Sequence, residues 1–135
     1  MTNYYIRYAG DFIYGKQNFF NGAFGIIPDE LDGYYSSIDI PSLSIDDNIV
    51  YPDYFLYYIS REVFYRNTEK HASGTGSKRI HEDTLLGFEL NLPSIQEQRK
   101  IGVFFKELSD TITLHQQKLE KLKQLKKAYL QQMFI

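Results

Sequence analysis

Two polar, glycine-bearing stretches hold the residues best suited to contact a ligand. The first, Gly15 to Gly25, reads GKQNFFNGAFG, with three Gly, two Asn, one Lys and three Phe in eleven residues. Its Lys16, Gln17, Asn18 and Asn21 carry donors and acceptors of the kind that meet base edges and phosphates. The bland alternative is a loop whose aromatics tuck into a core, the usual fate of Gly/Asn clusters. The second stretch, His71 to Arg79, reads HASGTGSKR. Along Ser73, Gly74, Thr75, Gly76 and Ser77, backbone N–H groups can approach a ligand closely because Gly has no side chain, and Lys78 and Arg79 add charge. That combination suits a phosphate, with a solvated connector as the alternative. Between Arg61 and Arg79 five Lys/Arg stand against two Glu, the one net-positive patch of an otherwise acidic region.

Catalytic chemistry finds no constellation. The second stretch lacks the G-K-[ST] order of a P-loop, having Gly76-Ser77-Lys78, and it follows a helical pattern where a P-loop follows a strand. His71, His81 and His115 show no metal spacing, and there is no Cys to join them. Asp53 after Pro52 has no [DE]-x-K partner anywhere in the chain, so two-metal phosphodiester cleavage is poorly supported. Asp46-Asp47 and Glu82-Asp83 read as loop or cap carboxylates. The expectation is a non-catalytic chain that needs no cofactor or metal of its own.

The elements that would position these loops are short. Asn3–Tyr8 and Asp11–Tyr14 read as strands separated by a Gly10-Asp11 turn, and Phe24–Ile27, Tyr34–Ile40 and Leu43–Ile45 as further strands. Pro28–Gly33 is a turn, and Pro41 ends a strand or sits at a sheet edge. Tyr51-Pro52-Asp53 opens a helix with Pro in its first turn, running to about Thr68 with Phe55, Ile59, Val63 and Phe64 inward. His81–Leu86 reads as one helical turn and Phe88–Leu92 as a last strand. Tyr4, Tyr5, Tyr8, Tyr34, Tyr35, Tyr57 and Tyr58 read as half-buried neighbours of sheet or helix.

From Ser94 to Ile135 the pattern is one long helix. Ser94 and Glu97 form the S-x-x-E of a capping box just after Pro93. The heptad seam is Ile101, Phe105, Leu108, Ile112, His115, Leu119, Leu122, Lys126, Tyr129 and Met133, with spacings that alternate four and three. Such a seam signals a coiled coil. At 1.5 Å per residue the helix reaches about 60 Å, too long to bury its stripe against the 93 residues before it. It calls for a partner helix. Gly102 costs on the order of 1 kcal/mol relative to Ala and does not stop a helix of this length.

Composition adds bounds. The 135 residues are 43% hydrophobic, so disorder is not the default, and no apolar run approaches a membrane span. The absence of Cys fits a cytoplasmic protein, and the first residues lack the pattern of a signal peptide. Residues 1–93 hold 7 Lys/Arg against 13 Asp/Glu, a net −6, whereas residues 94–135 hold 8 against 4, a net +4. Two parts with different jobs are implied: an α+β body over 1–93 and a helical spacer over 94–135. On the residues alone this is an interaction protein, and the acidic body argues against strong nonspecific DNA binding.

The last segment also carries a family resemblance. LPSIQEQRKIGVFFKELSDTITLHQQKLEKLKQLKKAYLQQMF resembles the helical region of type I restriction-modification specificity subunits. The P-x-x-x-E-Q-x-x-I pattern is present as Pro93, Glu97, Gln98 and Ile101. The later part of the motif is present as Leu108, Ile112, Lys118, Leu119, Leu122, Lys123, Lys126 and Lys127. GDFIYGKQNFF and SGTGSKRI look like the latter part of a target-recognition domain.

The resemblance implies a chain that reads half of a bipartite site on double-stranded DNA. It implies that two such helices pair antiparallel, joining a second specificity half or a second copy. Modification subunits would supply S-adenosylmethionine-dependent methylation, and a motor subunit using ATP and Mg would cleave. It implies no membrane partner. Only 93 residues precede the helix, fewer than such a recognition domain usually has, so a truncated domain is expected. The alternative is a helix-mediated interaction protein that binds no DNA and pairs with a full specificity subunit.

Overall fold

Alternating apolar residues and tight turns produce two small antiparallel sheets in the computed structural model, which describes residues 2–134. β1 (Tyr4–Ile6) pairs with β4 (Tyr35–Ser37), while β2 (Phe12–Tyr14) lies between β3 (Phe24–Ile26) and β5 (Ser42–Leu43). Gly10, at φ +87°, makes the turn that sends consecutive strands β1 and β2 into different sheets. Helices α1 (Pro52–Ile59), α2 (Glu62–Asn67), α3 (Glu82–Leu86) and α4 (Ile95–Met133) complete an α+β fold.

Phe12, Tyr14, Phe19, Ile59 and Ile80 form the buried core. Two of its ring contacts are edge-on, Phe12 against Phe55 at 5.2 Å and Tyr14 against Phe19 at 5.5 Å, an arrangement that places positive ring edges on negative faces. Burying one such ring stabilises the fold by about 1.5–3 kcal/mol.

Three expectations need correction. The helix expected to run to about Thr68 breaks after Ile59, where Arg61 takes an extended backbone (φ −65°, ψ 123°). Arg61 Nε donates to the Tyr58 carbonyl at 2.9 Å and its guanidinium stacks 4.2 Å from the Tyr58 ring. The break resets the helical phase, so Phe64 packs against the core while Val63, expected inward, is 88% exposed. Phe88–Leu92 joins no sheet among the described residues; Phe88 and Leu90 instead line an apolar cavity of about 240 Å³ with Phe12, Phe55 and Ile59. Tyr4, Tyr5, Tyr8, Tyr34 and Tyr35 are exposed, because β1 and β4 form a two-stranded ribbon with both faces largely open.

The chain divides into two compact units, one ending at Gly102 and one starting at Val103. The first turns of α4 therefore belong to the body, and two residues explain why. Gln98, 1% exposed, accepts the Tyr51 N–H at 2.9 Å and donates to the carbonyls of Ile49 and Pro93, both at 3.0 Å. One amide thus satisfies three backbone groups where loop meets helix. At Gly102 a Cβ would stand 2.7 Å from Tyr51 Cε1 and 3.1 Å from the Tyr54 nitrogen, so only Gly admits this approach. Ser94 Oγ accepts the Glu97 N–H at 3.3 Å, supplying the Ser half of the capping box. The expected helix end at Ile135 lies outside the described residues.

Candidate nucleic-acid interface

The two polar loops, Lys16–Asn21 and Ser73–Arg79, more than fifty residues apart in sequence, are brought together by backbone hydrogen bonds. Ile80 N–H donates to the Lys16 carbonyl at 2.8 Å, and the buried Tyr14 O–H donates to the Ile80 carbonyl at 3.0 Å. Lys16 N–H donates to the Asp39 carbonyl at 2.9 Å, tying both loops to the segment that follows β4. Burial pushes the Tyr14 phenol well above its usual range, with the Glu82 and Asp83 carboxylates adding to the shift. The phenol is held neutral, as a donor.

The loops themselves are well defined. Phe19–Asn21 forms one 3₁₀ turn that drives Phe19 into the core and leaves Asn18 and Asn21 exposed, with Asn21 Nδ2 donating to Asn18 Oδ1 at 3.3 Å. Gln17 is half-buried. Both readings of this stretch therefore describe part of it: its aromatics enter the core and its amides stay outside. In the other loop Ser73 and Arg79 exchange two backbone hydrogen bonds of 2.9 Å, closing Gly74 through Lys78 into an exposed tip. Gly74 holds φ +127° with the Ser77 carbonyl 2.6 Å from where a Cβ would be, so the tip requires Gly there.

The cations differ in accessibility. Lys16 is buried, its Nζ 2.7 Å from Glu82 Oε1, so its charge is neutralised inside the body and it locks the first loop to α3. Arg79 Nε contacts Asp39 Oδ1 at 3.3 Å and its Nη1 donates to the Ser77 carbonyl at 3.4 Å. Lys78 stands 3.8 Å from Glu69, with more than half its side chain exposed. Beside the first loop lies a concave surface of about 580 Å³, bordered by Gln17, Asn18, Ser37 and Asp39 over the β2–β3 floor. Among the described residues no three His, Cys, Asp or Glu gather as a metal site.

Asp39, Glu82 and Gln98 are the residues whose structural role the sequence reading missed or underrated. A lysine set between Tyr14 and Phe19 needs a counter-ion once those rings are buried, and that requirement points toward a carboxylate such as Glu82. Nothing local marks Asp39.

In the second unit the helix presents an apolar seam. Phe105, Leu108, Ile112, Leu119, Leu122, Tyr129 and Met133 are between 41% and 75% exposed, whereas Ile101 is half-buried in the body.

The family model of the type I restriction modification DNA specificity domain matches residues 3–124 of this chain, covering both loops and most of α4. The chain belongs to that family. It is also 30% identical over 129 residues to the type I restriction enzyme HindI specificity subunit of Haemophilus influenzae, an alignment that takes in 93% of this chain. The chain spans 28% of the length of that subunit. Among the described residues of this specificity domain, no helix is long and apolar enough to cross a membrane.

Proposed function

We propose that this chain reads one half of a bipartite site on double-stranded DNA, through the Lys16–Asn21 and Ser73–Arg79 loops, and pairs with another specificity helix through α4. The observation that supports this reading is that the two polar loops are tied together through Lys16 and Ile80 and both contact Asp39, within the residues that the type I specificity domain family matches. The exposed Asn18 and Asn21 amides and the half-buried Gln17 offer base-edge donors and acceptors, and Lys78 offers charge to a phosphate. Lys16 acts from inside, holding the loop in shape. No group here performs bond chemistry; methylation by S-adenosylmethionine and ATP-driven cleavage belong to modification and motor subunits.

Charge supports an antiparallel helix pair. Residues 118–127 hold five Lys and one Glu, and residues 103–114 hold one Lys with Glu107 and Asp110. A parallel pair sets the lysine cluster beside itself, within about one Debye length. An antiparallel pair centred near Gln117 sets it beside the partner's acidic half and matches Phe105 with Tyr129 and Ile112 with Leu122. The two polar seam residues, His115 and Lys126, then face Leu119 and Leu108, where single polar groups can set register.

A second reading, pairing through the helix without DNA binding, is favoured by one observation: Arg79 and Lys78 each have a carboxylate neighbour, on a body of net charge −6. Gel-shift titration with random duplex at low salt, with and without modification subunits, separates the two. A shift in either condition supports DNA reading, and none in both supports the helix-only alternative.

A further inference from the structure

We propose that Arg79 is a base-reading residue of the interface, taking a guanine through its O6 and N7, and that Asp39 is the residue that positions it. The proposal rests on the DNA-reading function above and deepens it. Four contacts define Arg79. Its backbone exchanges two 2.9 Å hydrogen bonds with Ser73, its Nε meets Asp39 Oδ1 at 3.3 Å, and its Nη1 donates to the Ser77 carbonyl at 3.4 Å. Asp39 is in turn fixed, because its carbonyl accepts the Lys16 N–H at 2.9 Å.

A guanidinium has five N–H donors in a rigid plane, and these side-chain contacts use two of them among the described residues. Three remain, enough for a bidentate contact. An arginine whose task is to neutralise phosphate gains nothing from a neighbouring carboxylate, which cancels part of its charge and repels the backbone. An arginine that must present one edge to the two guanine acceptors gains orientation from it. Lys78 is the contrast: an exposed point charge, 3.8 Å from its nearest carboxylate, on a glycine-bearing tip. The two adjacent cations divide the work, Lys78 taking phosphate and Arg79 taking a base. Asp39 also borders the concave surface that Gln17 and Asn18 line, so the residue that orients the guanidinium shares a surface with amides suited to read neighbouring pairs.

The test uses the whole chain with modification subunits and duplexes selected from a library with a randomised block. The wild type is expected to select a consensus containing a G·C pair that Arg79→Lys no longer selects, with an unchanged salt slope because the charge is kept. Replacing that guanine by deazaguanine lacking N7 weakens wild-type binding about tenfold and leaves Arg79→Lys unaffected. Asp39→Ala raises affinity for random duplex, since a negative charge is gone, yet lowers discrimination at that pair about tenfold, and Asp39→Glu recovers part of it. The proposal is overturned if Arg79→Lys keeps the full consensus, or if Asp39→Ala strengthens all sequences equally; either result makes Arg79 a phosphate contact. It is equally overturned if deazaguanine at every selected guanine costs the wild type nothing, a result independent of any variant's folding. A wild type that selects no consensus removes the DNA-reading function itself, and this proposal with it.

Discussion

The two units of this chain handle unsatisfied groups in opposite ways. Up to Gly102, the groups that water would otherwise serve are met internally: Lys16 by Glu82, Tyr14 by the Ile80 carbonyl, and Gln98 by three backbone groups. From Val103 onward the helix satisfies its backbone by itself but leaves its apolar seam exposed. The lesson is that one chain can hold both a surface whose shape is fixed beforehand and a surface whose apolar stripe is left open to water. Loops that read a DNA sequence need the first, since an ordering cost on binding would reduce discrimination. A spacer that joins two readers needs the second.

Deleting the same kind of group in each unit should sharpen that contrast, and the largest effect belongs to the body. Phe19→Ala is expected to cost about 3–5 kcal/mol in urea unfolding of the intact chain, with a midpoint independent of protein concentration. Leu119→Ala should instead leave body unfolding unchanged and raise the concentration at which the helix assembles, read by sedimentation. A seam variant that lowers the body's midpoint as much as Phe19→Ala breaks the comparison.

Next in size is the buried ion pair. Glu82→Ala leaves the Lys16 ammonium buried without a counter-charge and should cost about 2–3 kcal/mol, less than a fully buried pair because the Glu82 side chain is 40% exposed. Replacing Lys16 and Glu82 together by Met and Ala should recover part of the loss, as a double-mutant cycle would show.

Gly102→Ala should cost about 1–3 kcal/mol in the body even though Ala is the better helix former by about 1 kcal/mol, because its Cβ collides with Tyr51. Unchanged or increased stability would mean that Tyr51 moves aside freely.

The smallest expected effect is a pH limb. The Tyr14 phenol ionises above its usual range when folded, so folding favours the protonated form. Its contribution is complete below the unfolded value of about 10 and is lost as pH rises above it, at a slope of up to about 1.4 kcal/mol per pH unit. Denaturant melts from pH 9 to 11 should show this decline in the wild type and a flatter course in Tyr14→Phe.

Much of this architecture was legible because it is local. The heptad seam, the Ser94 cap, the Pro52 helix start and the Gly10 turn each follow from a few adjacent residues, and so do the α+β class and the two polar loops. What was not legible depends on distant groups. The break at Arg61 arises because its side chain can serve the Tyr58 carbonyl and ring, which no propensity registers. Phe88–Leu92 has the composition of a strand, but Phe88 and Leu90 line an apolar cavity of the body. The exposed tyrosines of β1 and β4 read as half-buried because alternation reports two faces, not whether a second layer covers them. Within the site, the loops were visible, whereas the Asp39 and Glu82 contacts that fix them bridge 40 and 66 residues.

The central claim, that fixed loops on the body read DNA, is tested most directly by salt titration of duplex binding. The wild-type chain is compared with the Lys78→Ala/Arg79→Ala variant, both with modification subunits. The wild type should bind with log K falling linearly against log salt, and the double variant should bind at least about tenfold more weakly with a slope shallower by about 1 or more. Equal affinity and slope for the two proteins, or no binding by the wild type at low salt, would contradict it.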